Sequence, residues 1–325
     1  MVVITHKPPY GMTVRGADGE VIPDLKSCYN YHPGMKKNHI LRISKSSLGD
    51  STFCAQQYAI NRVLGMKEPQ NDDMLRGTNV HDSVELFYDR VDVEYARGLE
   101  SHRVDEYFRK SFPDPSEIRS KQDKFHLDED LHIDRYRLKE VERFHSCNPD
   151  NFLPVGNELS VNLVTTIEVD GEPEMIHFTG IIDRIFQNPD GSLHIHELKT
   201  GAWKESPYKY EAMRKEMAFY VWLLRKADPS ARITHWGWDH TKGVKNTDTF
   251  DAEAFRFVEP VRTKELGLMM ADIQNLVRMH RKYRGDGDIS MFPLLPEGRQ
   301  YSICDPWCRL KEFCPRYTQH LGDGE

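Results

Sequence analysis

Between residues 154 and 200 the chain alternates apolar with polar residues and stops twice at turn sequences, and this commits it to an antiparallel meander. Leu159, Val161, Leu163, Ile167 and Val169 keep period two up to Asp170-Gly171. Ile176, Phe178, Ile181-Ile182 and Ile185-Phe186 return, Pro189-Asp190-Gly191 turns again, and Leu193 to Thr200 makes a third strand. Helical spacing surrounds this meander. Leu48, Cys54, Tyr58 and Leu64 form a helical run capped by Ser46 or Ser47 and ended by Gly65. Val80, Val84, Phe87 and Tyr88 share one face of a helix over Asp72 to Arg90, with His81 beside that face, and a third helix runs from Asp128 to Ser146 with Leu131, Leu138, Val141 and Phe144. After the strands, Pro207 to Lys226 reads as a helix with Met213, Met217, Tyr220 and Leu224 on one face, Ile233 to Trp238 as a strand, and Arg262 to Arg284 as a last helix. The order helix, three strands, helix, strand is that of an α/β fold with a central sheet flanked by helices.

The 325 residues suit one large catalytic domain with insertions, and 34 aromatic residues exclude a disordered chain. No apolar run is long enough to cross a membrane, and residues 1 to 10 carry no secretory pattern, so a cytoplasmic protein without membrane contact is expected. A net charge of -7 excludes a uniformly basic nucleic-acid coat but allows a local basic groove. Six cysteines in such a chain point to metal binding or burial before disulfides, which makes their spacing the informative feature.

Glu197 and Lys199 stand two apart on the third strand, on one face, and Asp183 lies near the end of the preceding strand. Two acids converging with a lysine suit a hard divalent ion, which lowers the pKa of water and offsets phosphate charge, while the lysine steadies developing negative charge. Taken alone, Glu-x-Lys on a strand is an ordinary exposed charge pair, and His81 alone a core histidine. His194 and His196 share the opposite strand face and read as packing or surface residues, with a zinc pair as the alternative.

The arrangement as a whole says more. Gly77-Thr78-Asn79-Val80-His81, Gly180-Ile181-Ile182-Asp183, Glu197-Leu198-Lys199-Thr200-Gly201 and Glu216-Met217-Ala218-Phe219-Tyr220 follow one another with compatible elements between them. Over residues 44 to 325 the chain resembles the RecB-like branch of the PD-(D/E)xK nuclease superfamily, whose motifs run as an upstream histidine, GxxD, (D/E)xKTG and QxxxY. The resemblance implies a restriction-endonuclease-like core with helical insertions. It implies metal ligation by His81, Asp183, Glu197 and the main-chain carbonyl of Leu198, with Glu158 as a further acid. Lys199 would be the catalytic lysine, Mg2+ or Mn2+ the metal, and Tyr220 a residue that positions substrate. Two departures stand out: Ile182 replaces the eponymous proline, and Glu216 replaces a glutamine, turning a donor into an acceptor.

Cys304-x3-Cys308-x5-Cys314-Pro315 places three thiols in eleven residues, the pattern of a soft metal site lacking one ligand. Cys54 would complete a four-cysteine iron-sulfur site, and His320 would instead complete a Cys3His zinc site. AddB-like nucleases and the iron-sulfur CRISPR-associated exonucleases share one cysteine before the core and three after it, so the resemblance implies a 4Fe-4S cluster on Cys54, Cys304, Cys308 and Cys314. Three residues instead of the usual two separate its second and third cysteines. Cys28 and Cys147 fall outside the pattern.

Residues 1–43 read as an N-terminal extension, with a hairpin turn at Asp18-Gly19, 44–325 as the nuclease domain, and 285–325 as a cluster-bearing tail packing on the helix that carries Cys54. Trp203, Lys204, Tyr208, Lys209, Arg214 and Lys215 interleave cations with aromatics, as a single-strand groove requires and as a solvated helix face also allows. The resulting expectation is a metal-dependent exonuclease on single-stranded DNA ends, serving recombination, repair or phage DNA metabolism. Two other readings stay open: a catalytically degenerate nucleic-acid-binding module with structural zinc, and the nuclease subunit of a helicase-nuclease assembly. No GxxxxGK(S/T) phosphate loop is present, so a helicase or recombination partner would be a separate protein.

Overall fold

In chain order the elements are β1 (Val3–Thr5), β2 (Leu41–Ser44), α1 (Lys45–Phe53), α2 (Ala55–Tyr58), a π-helical turn (Ala59–Val63), α3 (Asp72–Arg90), α4 (Val93–Arg97), α5 (Ser101–Ser111), α6 (Asp128–Ser146), β3 (Gly156–Val169), β4 (Glu172–Gln187), β5 (Leu193–Lys199), α7 (Pro207–Ala227), β6 (Ile233–His240), β7 (Arg256–Pro260) and α8 (Thr263–Tyr283). This computed structural model describes residues 3–5, 41–66, 71–114, 117–118, 128–201, 207–241, 256–283 and 289–300, and in the tail 304, 308, 310 and 313–315.

The meander forms as its pattern dictates. Asp170 and Gly171 both take positive φ, 56° and 78°, the geometry of a type I′ turn whose twist matches that of the strands it joins. Thirteen paired positions then run from Val169↔Glu172 to Gly156↔Ile185. At the next turn the amide and hydroxyl of Ser192 both donate to Asp190 Oδ1, at 2.9 and 2.6 Å. A crossover through α7 returns the chain as β6, parallel to β5, and β7 closes that edge antiparallel to β6. The sheet is therefore mixed, as expected, with β1 at its other edge and the order β1-β3-β4-β5-β6-β7.

One face of the sheet is covered by α7, α8, α1 and α2, through Met217, Tyr220, Leu224, Ile273, Leu276, Leu48 and Tyr58. The other face is covered by α3, α5 and α6, through Val84, Phe87, Phe108, Tyr136 and Phe144. Between these layers the middle of β3, Leu159 to Val164, is buried at every residue. Among the described residues, no helix is long and apolar enough to cross a membrane.

Several local expectations need correction. The cap of α1 is Ser44, in a capping box with Ser47, because Ser44 takes the extended backbone that a cap needs and its side chain accepts from the Ser47 amide. The helical run is interrupted: Cys54 is extended, ends α1 and caps α2 through its sulfur, which accepts from the Gln57 amide at 3.4 Å, and the helix that resumes through Val63 ends at Gly65, whose φ is 75°. On α6, Leu131 and Leu138 are half exposed while Glu129, Arg137 and Glu140 are buried. Part of its inward face, beside Tyr136 and Phe144, is polar because Glu140 binds Arg143 and Arg256, and Arg256 in turn binds Asp239 of β6. β2 straddles the expected boundary at 43/44, and β1 pairs with Ser160–Asn162 of β3. The short α4 and α5 and the strand β7 were not expected, although Val104 and Phe108 of α5 lie buried four residues apart on one helix face. Asp18-Gly19 and Cys28 lie outside the described residues.

Candidate active site

The site lies where one edge of β4 changes partner. β2 runs parallel to Ile176–Thr179 and β5 antiparallel to Arg184–Gln187, which leaves Gly180 to Asp183 between them without a strand neighbour on that edge among the described residues. β5 splays away there, and Asp183 Oδ2 accepts the Leu198 amide at 2.7 Å in place of a ladder bond. Gly180 has its own reason. A Cβ there would come within 3.0 Å of the Tyr220 ring and 3.2 Å of Leu223, so only glycine lets α7 lie this close to β4.

Three ligand-type side chains meet at the split. His81 of α3 points Nδ1 at Glu158 Oε1 and Asp183 Oδ2, both at 3.5 Å, and Nε2 at the Leu198 carbonyl at 3.2 Å. His81, Glu158 and Asp183 are the one group of three such residues, among the described residues, whose ligand atoms all lie within 4.8 Å of one another. Glu158 lies in the gap of the hairpin register between Asn157↔Arg184 and Leu159↔Ile182 and takes φ 48°, a conformation that costs a non-glycine residue about 1–3 kcal/mol. Such strain persists only where the surroundings hold it, and here it accompanies an acid turned toward other acids.

Glu197 faces a different set of partners. Its Oε1 accepts from Lys199 at 3.1 Å and from Lys45, and Lys199 also donates to Glu216 Oε2 at 3.0 Å. Glu216, standing where a glutamine was expected, thus serves as an acceptor for the lysine. Lys45 Nζ lies 3.8 Å from the same Glu216 oxygen and 5.3 Å from the centre of the Tyr220 ring. Nothing in the motif spacing marks Lys45. It reaches the site because β2 ends beside Thr179, a contact between segments more than 130 residues apart in the chain.

The electrostatics follow from burial and charge. Burial, then Glu197 and Glu158, push Asp183 up to about 6 against the pull of His81. Burial would raise Glu197 too, but Lys199 and Lys45 overcome it and hold this carboxyl down near 2. Burial lowers Lys199, and Glu197 and Glu216 together outweigh it, so its pKa is raised and it keeps its charge. For His81, Asp183 and Glu158 outweigh burial and raise its pKa. Burial pushes the Tyr220 hydroxyl well up, so it remains a donor. Among the described residues, Glu197 Oε2 is a buried oxygen with no hydrogen-bond partner, and Glu158 Oε1 is buried with only the 3.5 Å contact from His81. Buried carboxylates with open lone pairs, beside a histidine and a carbonyl, fit a hard divalent cation.

The other expected residues lie elsewhere. Cys54, Cys304, Cys308 and Cys314 line one small cavity together with Ile60 and Leu294. Gln56 of α2 donates to the carbonyl of Ile289 at 2.7 Å and to that of Phe292, and Ile60 packs against Leu310 and Cys314. His320, the alternative ligand, lies outside the described residues, and Cys147 packs beside Val141 and the α5–α6 aromatics. Of the proposed groove, Trp203 and Lys204 lie outside the described residues, as do the side chains of Tyr208 and Lys209. Arg214 is held by Glu259 at 2.5 and 2.7 Å and Lys215 by Asp272 at 2.9 Å, so both cations are engaged within the fold. His196 Nδ1 lies 3.4 Å from Asp239 and its Nε2 3.2 Å from His194, on the face away from the acids.

A family profile described as the PD-(D/E)XK nuclease superfamily matches residues 42–315. No curated protein matches the sequence. Among solved structures, SSO0001 is 16% identical at a TM-score of 0.34, covering 84% of this chain and 96% of its own. The complex of Scheffersomyces stipitis Rai1 with (3'-NADP)+ and calcium ion is 15% identical at 0.26, covering 94% and 92%. Likenesses at these TM-scores leave the family match to stand on the sequence.

Proposed function

Because the chain belongs to the PD-(D/E)XK nuclease superfamily, whose members are metal-dependent nucleases, we propose that it hydrolyses phosphodiester bonds at the ends of single-stranded DNA. The observation that carries this reading is the convergence of His81, Glu158 and Asp183 beside a Glu197 that two lysines keep ionised. Asp183, Glu158, His81 and the Leu198 carbonyl would hold Mg2+ or Mn2+, with Glu197 Oε2 the next open oxygen. Such an ion makes water a nucleophile near neutral pH and offsets charge on the phosphate. Lys199, charged and fixed between Glu197 and Glu216, stands ready to stabilise negative charge on the attacked phosphate. Tyr220, a buried donor, positions the phosphate from the α7 side.

The cysteine cavity supports the second half of the reading, a 4Fe-4S cluster held by Cys54, Cys304, Cys308 and Cys314. The cluster's part is structural, tying the tail of domain 44–325 to the segment that begins it. The setting proposed is recombination, repair or phage DNA metabolism in the cytoplasm, beside a helicase or recombination protein.

End-labelled single-stranded oligonucleotides and closed circular single strands, each with Mg2+, Mn2+ or a chelator, test the reading. Metal-dependent loss of the linear strand with the circle intact is expected for an exonuclease. Tight binding without hydrolysis in either metal would overturn it in favour of a non-cleaving module.

A further inference from the structure

Two open clefts meet at Lys45, and their charges differ. The wider one carries Asp50, Glu211, Glu216 and Asp272 against Lys45, Lys215 and Arg299. The other lies between β2, the start of α1 and β4, and its lining includes Arg42, Lys45 and Arg62 with no carboxylate. By the charges of their linings, nucleic acid phosphate is favoured in the second over the first.

The second cleft also has the donors and the surface that a nucleotide needs. Ser44 and Ser46 place hydroxyls within it, their oxygens 3.1 Å apart. Arg42 is exposed on β2 and, among the described residues, has no ion-pair partner, whereas Arg62 is held by Asp50. Ile181, 49% exposed, offers an apolar floor two residues before Asp183, and Tyr220 forms the wall shared with the acids. A phosphate seated between Arg42, Lys45 and the serine hydroxyls would therefore lie on the same edge of β4 as the carboxylates, one step along the strand.

We infer that this cleft is a phosphate-binding subsite that holds the substrate strand next to the cleaved bond, with Arg42 and Lys45 as its cations and Ser44 and Ser46 as its neutral donors. The inference rests on the nuclease reading for the identity of the strand, and on the cleft for the phosphate. Its chemistry is shared by an internal diester and by a terminal phosphate, which differ in charge and in position. Arg42 is a binding residue here and, among the described residues, makes no ion pair with the acids, so its effect falls on KM more than on kcat.

The test compares the wild-type protein with Arg42→Ala, Ser46→Ala and, as a control for a lost surface charge, Arg232→Ala. Binding of fluorescent twelve-nucleotide single strands ending in 5'-phosphate, 3'-phosphate or hydroxyls is measured by anisotropy in chelator across a salt series, and cleavage is measured separately with Mn2+. Arg42→Ala should weaken binding about tenfold and lower the salt slope by about one, with Arg232→Ala near wild type. A loss confined to one phosphorylated end names a terminal phosphate, and an equal loss on all three strands names an internal one. Wild-type affinity and slope in Arg42→Ala, in a protein that still cleaves, would overturn the subsite and leave the nuclease standing. Arg42-dependent binding in a protein that never cleaves would do the reverse.

Discussion

Lys45 and Lys199 share one oxygen: both ammonium groups donate to Glu197 Oε1, one from the first residue of α1 and the other from the last residue of β5. Two lysines on one buried carboxylate keep it ionised and leave its second oxygen open. The two cations are not equivalent, because Lys199 is also bound by Glu216 at 3.0 Å while Lys45 borders the phosphate cleft. Lys199→Ala is expected to lower kcat by about 10²-fold or more, the scale for removing a preorganised transition-state donor, with binding of single strands retained. Lys45→Ala should raise KM as well as lower kcat. Steady-state kinetics with Mn2+ separate the two, and a Lys199→Ala protein with wild-type kcat would sink the assigned role.

Gly180→Ala tests the packing that presents Tyr220. The added methyl meets the Tyr220 ring at 3.0 Å and Leu223 at 3.2 Å, and both side chains are buried, so neither can swing into solvent. Overpacking of this kind costs about 1–3 kcal/mol. A urea midpoint lowered accordingly, together with reduced cleavage, is expected. An unchanged midpoint would mean that α7 can move away from β4 at little cost.

Removal of a cluster ligand should separate stability from chemistry. Cys304→Ser is expected to lose iron and to unfold at lower denaturant, since ligation energy is folding energy where the cavity joins Gln56 and Ile60 to the tail. The wild-type protein purified without oxygen should be brown with about four irons per chain. One zinc and no iron would instead assign a different metal. A Cys147→Ser protein, altered outside the cavity, should keep its iron.

The meander and its flanking helices were legible because period two, period 3.6 and the Asp170-Gly171 turn are local signals that tertiary packing reinforced. His81, Asp183, Glu197, Lys199 and Tyr220 were legible only through the order of their motifs, since no spacing within one element joins α3 to β5. Lys45 was not legible at all. Its place depends on β2 pairing with β4, and a four-residue strand carries too little pattern to announce a parallel pairing at that distance. Periodicity placed α6 at Asp128 to Ser146 with Phe144 inward but missed much of its buried face, because Glu129, Arg137 and Glu140 lie buried beside Tyr136 and Phe144 and look solvent-facing in sequence.

A final expectation concerns acid. His177 of β4 is buried, its Nε2 lies 3.1 Å from Asn162 Oδ1, and its Nδ1 has no hydrogen-bond partner among the described residues. Burial, with Arg42 nearby, pulls its pKa from 6.5 down to about 4. Between these values the unfolded chain carries a proton on this imidazole that the folded chain does not. Stability at His177 is therefore intact above pH 6.5, falls as pH drops through the window, and is fully lost below about 4, by roughly 3 kcal/mol at most. Asp183, raised to about 6, works in the opposite sense, gaining protons on folding as the pH falls. Comparison with His177→Gln, which keeps a donor for Asn162, isolates the histidine. Urea unfolding at pH 7.5 and pH 5 should show the wild-type protein losing about 2 kcal/mol more than the variant. Equal losses in the two proteins would show that His177 gains a proton in the folded state as readily as in the unfolded one.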